Sequence, residues 1–332
     1  MAKSDKISSA SHGPVANLHG GREEQHVAPK SPLRLLVAWR PQSAGEEVAD
    51  VAAWIGRTEE IRVRSATVIP RAWETQPGSE EFHEYRKWVL AETQACMDSA
   101  LGALGRAGLP QTMLAEEDPA VVDIAPTETK VLIKAAEDFA ADCLLLGSHP
   151  AAPRGRFRMG STADALLHCA PLPVLLAPRS PKLAKNGVTR VSCSYVDTVQ
   201  SHEALRRASD LAARWKVPLR LVAFSPSGAT MYPTNVPFNG NSDMMVEWRE
   251  QALALLDRGR DRALTRHPDL KVQMDVGSGY GWSGAINALK WKKGDLLVMG
   301  SSELGQFNRV FIGPSTNQIL RHSPVPVLVS PV

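Results

Sequence analysis

The feature that most constrains this chain is that its second half repeats its first. Shifting residues 141–178 by 153 positions pairs Asp142 with Asp295, Leu144 with Leu297, Gly147 with Gly300 and Ser148 with Ser301. The same shift pairs Arg156 with Arg309, Gly160 with Gly313, Leu167 with Leu320 and Pro171 with Pro324, and the run Pro173, Val174, Leu175, Pro178 with Pro326, Val327, Leu328, Pro331. Twelve identities in 38 ungapped positions are far above chance, so one folding unit is written twice.

Each copy alternates short β runs with helical periods. In the first, LRLLVAW and IRVRSATVIP read as strands, and AGEEVADVAAWIGR as a helix with Val48, Val51, Ala52 and Ile55 on one face. A long helix is expected from Glu80 to Gly108, a short strand near Thr112–Ala115, then the helix TETKVLIKAAEDFA, the buried strand DCLLLG, the helix STADALLHCA and the last strand PVLLAP. VTRVSCSYV begins the same order again, with a long helix from about Ser242 to Arg266. Alternating β and α with continuous apolar strands imply parallel sheets covered on both faces. The expected division is a disordered tail over 1–31, a first domain over 32–179, a linker over 180–187 and a second domain over 188–332. The tail is rich in Ser, Gly, His and charge, and buries too little apolar surface to offset its ordering entropy. Its histidines, His12, His19 and His26, read as solvated because no carboxylate or thiol stands beside them at ligand spacing.

Composition narrows the function. A net charge of +3 over 332 residues gives no extended nucleic-acid footprint. No apolar run approaches the roughly 20 residues that span a bilayer, and the amino end has no signal-type apolar core. The four cysteines, Cys96, Cys143, Cys169 and Cys193, lie in apolar runs without C-x-x-C spacing and read as buried thiols of a reducing, cytoplasmic compartment.

The segment LLLGSHPAAPRGRFRMGSTADALLHCAPLPVLLAP carries the chemistry. A glycine ends a strand, and about a dozen residues later Gly160-Ser161-Thr162 opens a helix. Backbone N–H groups and the positive end of the helix dipole suit a phosphate there, although Ser and Thr are also ordinary helix caps. This segment resembles the signature G-2x-G-9x-G-(S/T) of the universal stress protein family. PLPVLLAP and PVPVLVSP resemble that family's last strand, and the resemblance extends over residues 33–332. It implies two tandem doubly wound five-stranded parallel-sheet domains, adenine-nucleotide alpha hydrolase-like in fold, paired through their last strands as an intramolecular pseudo-dimer. A homodimer of whole chains is a further option. The resemblance also implies ATP or another adenine nucleotide, held by Gly147, Gly160, Ser161 and Thr162 in the first copy and by Gly300, Gly313 and Ser315 in the second, and the recurrence of Arg156 as Arg309 adds Arg156 as a phosphate contact. No metal site and no catalytic group is expected.

The departures from the signature matter. Pro150 replaces the second glycine, and its missing N–H weakens a phosphate loop. In the second copy Glu303 and Pro314 occupy the second-glycine and hydroxyl positions, so ATP is expected in the first copy rather than the second. Where the family has an Asp after the first strand, the copies have Trp39-Arg40 and Tyr195-Val196, with Asp197 one place late. Trp39 and Tyr195 are read as packing residues, base stacking being the alternative. The G-x-G-x-x-G at Gly279, Gly281 and Gly284 is set aside as a dinucleotide fingerprint, since its helix is very short and the first copy has no glycines there. The loops 70–82 and Ser225–Ser242 are the expected lids. The leading reading is a stress-response regulator that binds a small molecule without dedicated catalysis. A nucleotide-free protein-interaction module is second and a slow ATPase last.

Overall fold

A computed structural model describes residues 31–41, 46–70, 80–227, 242–301 and 314–331. Residues 1–30 of the expected tail, the two lids' central stretches, and Glu303, Arg309 and Gly313 lie outside the described residues. The first copy runs β1 Leu33–Ala38, α1 Glu47–Gly56, β2 Ile61–Pro70, α2 Glu80–Arg106, a 3-10 turn Gln111–Met113, β3 Ala120–Ala125, α3 Glu128–Asp138, β4 Cys143–Gly147, α4 Ser161–Cys169 and β5 Val174–Ala177. The second runs β6 Arg190–Ser194, α5 Val199–Trp215, β7 Leu219–Ser227, α6 Ser242–Arg266, β8 Val272–Tyr280, α7 Gly281–Ala288, β9 Asp295–Gly300, α8 Pro314–His322 and β10 Val327–Ser330. One expectation is corrected. At Thr112–Ala115 only a single bridge forms, Leu114 with Val63, and the third strand begins at Ala120. The intervening Glu-Glu-Asp-Pro run turns the chain, with Asp118 at φ +47°, and the β-branched Val121, Val122 and Ile124 then supply the strand.

All ten strands belong to one sheet, in the order β3-β2-β1-β4-β5-β10-β9-β6-β7-β8. Read outward from its middle, each copy has the same winding. Every pairing is parallel except the seam, where β5 and β10 run antiparallel with Leu175 opposite Leu328, flanked by Leu176–Val327 and Val174–Val329. These strands are wholly buried, so each copy covers what would otherwise be an exposed apolar edge of the other. Side chains alternate across the sheet. Leu35, Val37, Leu145, Leu175, Val298 and Leu328 pack under α1, α2, α5 and α6, while Leu36, Leu144, Leu146, Leu176, Leu297 and Val327 pack under α3, α4, α7 and α8. Beside the seam, Glu59 of the first copy accepts hydrogen bonds from Trp215 Nε1 at 2.7 Å and from Arg214 Nε, both on α5. The connecting segment is docked as well: Val188 N–H donates to Thr58 Oγ1 at 2.8 Å, and Gly187 (φ +78°) lies so close to Thr58 that a Cβ would stand 2.4 Å from the hydroxyl.

The repeat extends to polar groups at the amino ends of the strands. Fully buried Asp295 accepts from Arg190 at 2.6 and 2.8 Å and from Lys292 N–H at 2.9 Å. Arg220, also fully buried, reaches the same carboxylate at 3.4 Å and lies 4.6 Å from the centre of the Trp291 ring. The first copy places Arg34 and Arg64 over the Phe139 ring at 4.3 and 4.7 Å, with Asp142 accepting from the Arg34 amide at 2.8 Å. Asp142 is exposed, and the carboxylate there bonds a backbone amide rather than a buried guanidinium pair. Removing one partner of a buried ionic network leaves the others uncompensated. Asp295→Ala should therefore cost about 3–5 kcal/mol in urea denaturation, and Asp142→Ala only about 1 kcal/mol.

Candidate ligand site

At the carboxyl ends of β1, β2 and β4 the first copy opens into a cleft of about 90 Å³. Open parallel sheets take ligands at this end, where strand order reverses between β1 and β4. Ala38, Ala66, Val68, Leu132, Leu146 and Ala163 form an apolar slot, and Arg40, Glu47, Glu128, Ser148, His149 and Thr162 supply polar groups around it.

Gly147 and Gly160 both line the cleft, for different reasons. A Cβ on Gly147 would stand 3.2 Å from Glu47 Oε1 and 3.3 Å from Val48 Cγ1, so its bareness admits the Glu47 carboxylate. Gly160 stands at φ −95°, ψ 175°, extended backbone open to any residue, and a Cβ would meet nothing nearer than His149 Cδ2 at 3.7 Å. The fold does not demand glycine there; what its absence of side chain keeps is a clear approach to α4. That helix has no side-chain cap on its first turn.

The loop between the two glycines folds on itself. Ser148 Oγ accepts from Arg158 N–H at 2.9 Å, His149 N–H donates to Arg158 O at 2.8 Å, and Ala152 N–H to His149 O at 2.9 Å. Gly155 N–H donates to Arg179 O at 2.6 Å. These amides are committed internally, which leaves the start of α4 as the place where backbone donors meet the cleft. Of the residues expected at the site, Gly147, Gly160 and Thr162 come together. Ser161 is exposed on the first turn of α4. Arg156 turns away and donates to Asn287 Oδ1 on α7 of the second copy at 3.2 Å.

Three groups distant in sequence close over the α4 end. Glu128 Oε2, at the start of α3, accepts from both Arg40 Nη2 and Thr162 Oγ1, and Arg40 Nη2 lies 2.5 Å from the Thr162 hydroxyl. Glu47 sits deeper, 4% exposed. Its Oε1 accepts from Ser148 N–H at 3.1 Å, and its Oε2 is buried without a hydrogen-bond partner among the described residues. Burial holds its carboxyl above the ordinary 4.5, with the Ser148 amide and Arg179 pulling the other way. Sequence reading missed Glu47 and Glu128. For Glu47 a signal existed, since it shares the buried stripe of α1 with Val51 and Ile55 at helical spacing.

The second copy differs at the same end. A Cβ on Gly300 would lie 2.4 Å from the Gln200 backbone oxygen, so α5's own first turn fills the space that Glu47's side chain occupies in the first copy. Ser315 is exposed at the start of α8. Asp197 is held by His202 Nε2 at 2.8 Å, which lowers its carboxyl, and by Arg258 at 3.5 Å. Tyr195 is fully buried against Gly259 and stacked on His202, so it packs, whereas Trp39, buried in the same core cluster as α1, also lines the first-copy cleft. The glycines of the G-x-G-x-x-G are packing devices too. A Cβ on Gly279 would fall 2.6 Å from the Gly284 carbonyl carbon, and Gly281 has φ +61° where β8 turns into α7.

Two doubly wound α/β units sharing one sheet, each with its cleft end at the switch point, define the class. The chain belongs to the universal stress protein family, whose model matches residues 33–178 and 195–331. Universal stress proteins of Mycobacterium tuberculosis and Mycobacterium bovis are 32% identical to it over 301 residues, covering 90% of this chain and 100% of each relative. In architecture it is similar to the crystal structure of a universal stress protein from Archaeoglobus fulgidus, with a TM-score of 0.60 at 16% identity, over 90% of this chain and 98% of that one. Among the described residues no helix is long and apolar enough to cross a membrane, and no cluster of three or more His, Cys, Asp or Glu could hold a metal ion.

Glu47 gives a pH test. A carboxyl whose folded pKa is raised opposes folding once ionised, so its penalty is absent below the unfolded value near 4.5 and complete above the folded one. Glu47→Gln keeps an acceptor for Ser148 and removes the charge. Its melting temperature should exceed that of the parent at pH 7 and converge with it toward pH 4, as followed by circular dichroism.

Proposed function

We propose that the protein is a non-catalytic stress-response regulator whose first copy binds an adenine-containing ligand of the nucleotide or nucleoside type. The observation that carries this reading is Gly160. Its conformation and surroundings would accept a side chain, yet the position is bare where an uncapped helix start meets an apolar slot. The slot formed by Ala38, Ala66, Val68 and Leu132 suits the flat face of a base. The second copy acts as structural partner, with α5 backbone packed against Gly300. We place the protein in the cytoplasm. Cys96, Cys143 and Cys193 are buried free thiols, and burial pushes the Cys143 thiol up to about 12. The boundaries we propose are a first domain over 32–179, a linker over 180–187 and a second domain over 188–332.

A ligand that binds only the folded state raises its melting temperature. AMP at about a hundredfold excess over its Kd should raise it by about 2 °C or more. Gly160→Leu should abolish that shift and leave the ligand-free melting temperature within about 1 °C of the parent. A shift that survives in the variant, or its absence in the parent with both AMP and adenosine at millimolar concentration, rejects the reading.

A second reading, a module that docks proteins, draws on exposed Trp88 and Leu90 on α2 and Trp248 on α6, at 49, 69 and 47% exposure. Corresponding long helices of both copies thus present a tryptophan to solvent. If those faces bind another copy of the chain, sedimentation should show a dimer that Trp88→Ser with Trp248→Ser returns to monomer.

A further inference from the structure

The charges around the cleft bear on which adenine ligand it takes, a question that rests on the reading above. A polyphosphate site needs uncommitted cations and donors, and the anionic oxygens of a phosphate chain must not face carboxylates at short range. Here the two cleft-lining side chains at the α4 end that could greet a phosphate, the Arg40 guanidinium and the Thr162 hydroxyl, are hydrogen-bonded to the one Glu128 oxygen, which leaves the α4 backbone amides and the exposed Ser161 as the donors there. Pro150 removes an amide from the preceding loop, and the amides around it are bonded within that loop. Arg156, the residue that recurs in both copies, is engaged by Asn287. The cleft lining therefore holds two carboxylates, Glu47 and Glu128, against one arginine, with His149 beside them. The three to four negative charges of ATP would face both carboxylates of this lining at short range.

What does fit is a donor. Glu47 is 4% exposed, its Oε1 is satisfied by Ser148, and among the described residues its Oε2 is buried without a partner while the residue borders the cleft. A buried acceptor of this kind is costly unless something hydrogen-bonds to it. A sugar hydroxyl is such a group, and a carboxylate accepts from a ribose hydroxyl in dinucleotide-binding α/β folds. We propose that the first-copy cleft is a nucleoside site, in which the apolar slot takes the base and Glu47 Oε2 accepts a hydrogen bond from a ribose hydroxyl, and that it selects against polyphosphates. Glu128 acts as the selectivity element by neutralising Arg40 and Thr162.

Isothermal titration of the full chain with adenosine, 2′,3′-dideoxyadenosine, AMP and ATP tests this. Adenosine should bind at least about tenfold more tightly than ATP, and the dideoxy compound about tenfold more weakly than adenosine. Glu47→Gln, which keeps the Ser148 bond, should lose adenosine affinity by a similar factor while remaining folded by circular dichroism. Glu128→Gln should release Arg40 and Thr162 and improve ATP binding by about tenfold or more, with adenosine little changed. ATP binding more tightly than adenosine in the parent, or equal affinity for adenosine and its dideoxy analogue, overturns the proposal and leaves the adenine site standing. If none of the four binds, the site reading itself falls and this proposal with it.

Discussion

The structure depends on one short antiparallel pairing of apolar strands. β5 and β10 contribute four buried residues each, and neither could face water as a sheet edge without inviting association. Joining them turns two five-stranded units into one ten-stranded sheet and lets the helices on each face share a continuous core. The Glu59 bonds to Arg214 and Trp215 and the docking of Gly187 on Thr58 then fix how the copies meet on one side of that seam. The candidate cleft lies at the carboxyl ends of β1, β2 and β4 of the same joined sheet.

Duplication relaxes the demand on each copy, and the two cleft ends show the result. In the first, a bare Gly147 admits a carboxylate and a bare Gly160 keeps a helix start accessible. In the second, backbone packs against Gly300. The buried Arg190–Asp295–Arg220 network shows the reverse division: the second copy has the more deeply buried charges at its amino ends, the first a more exposed version stacked on Phe139. One copy thus keeps an open cleft at its carboxyl ends and the other the more deeply buried charges at its amino ends.

The winding, the repeat and the parallel strands were legible because they reside in periodicity and spacing, which a chain displays locally. The third strand of the first copy was misplaced because Met113, Leu114 and Ala115 look like a strand, whereas the charged turn that follows decides where pairing can begin. The glycine pair and Thr162 were readable from a motif. The cluster Arg40, Glu128 and Thr162 was not, since its members lie 88 and 34 residues apart from Glu128 and meet only through the sheet order. Arg156 shows the opposite failure: a repeated residue suggested a shared ligand role, and its contact is with the neighbouring copy.

That contact has a consequence for how the halves could be studied. Arg156 belongs to the loop bordering the cleft, yet the oxygen that receives its guanidinium comes from α7 of the other copy. The loop's posture is therefore borrowed in part from its neighbour. Substitutions on α7 of the second copy can therefore reshape a loop beside the first-copy cleft without touching the cleft lining.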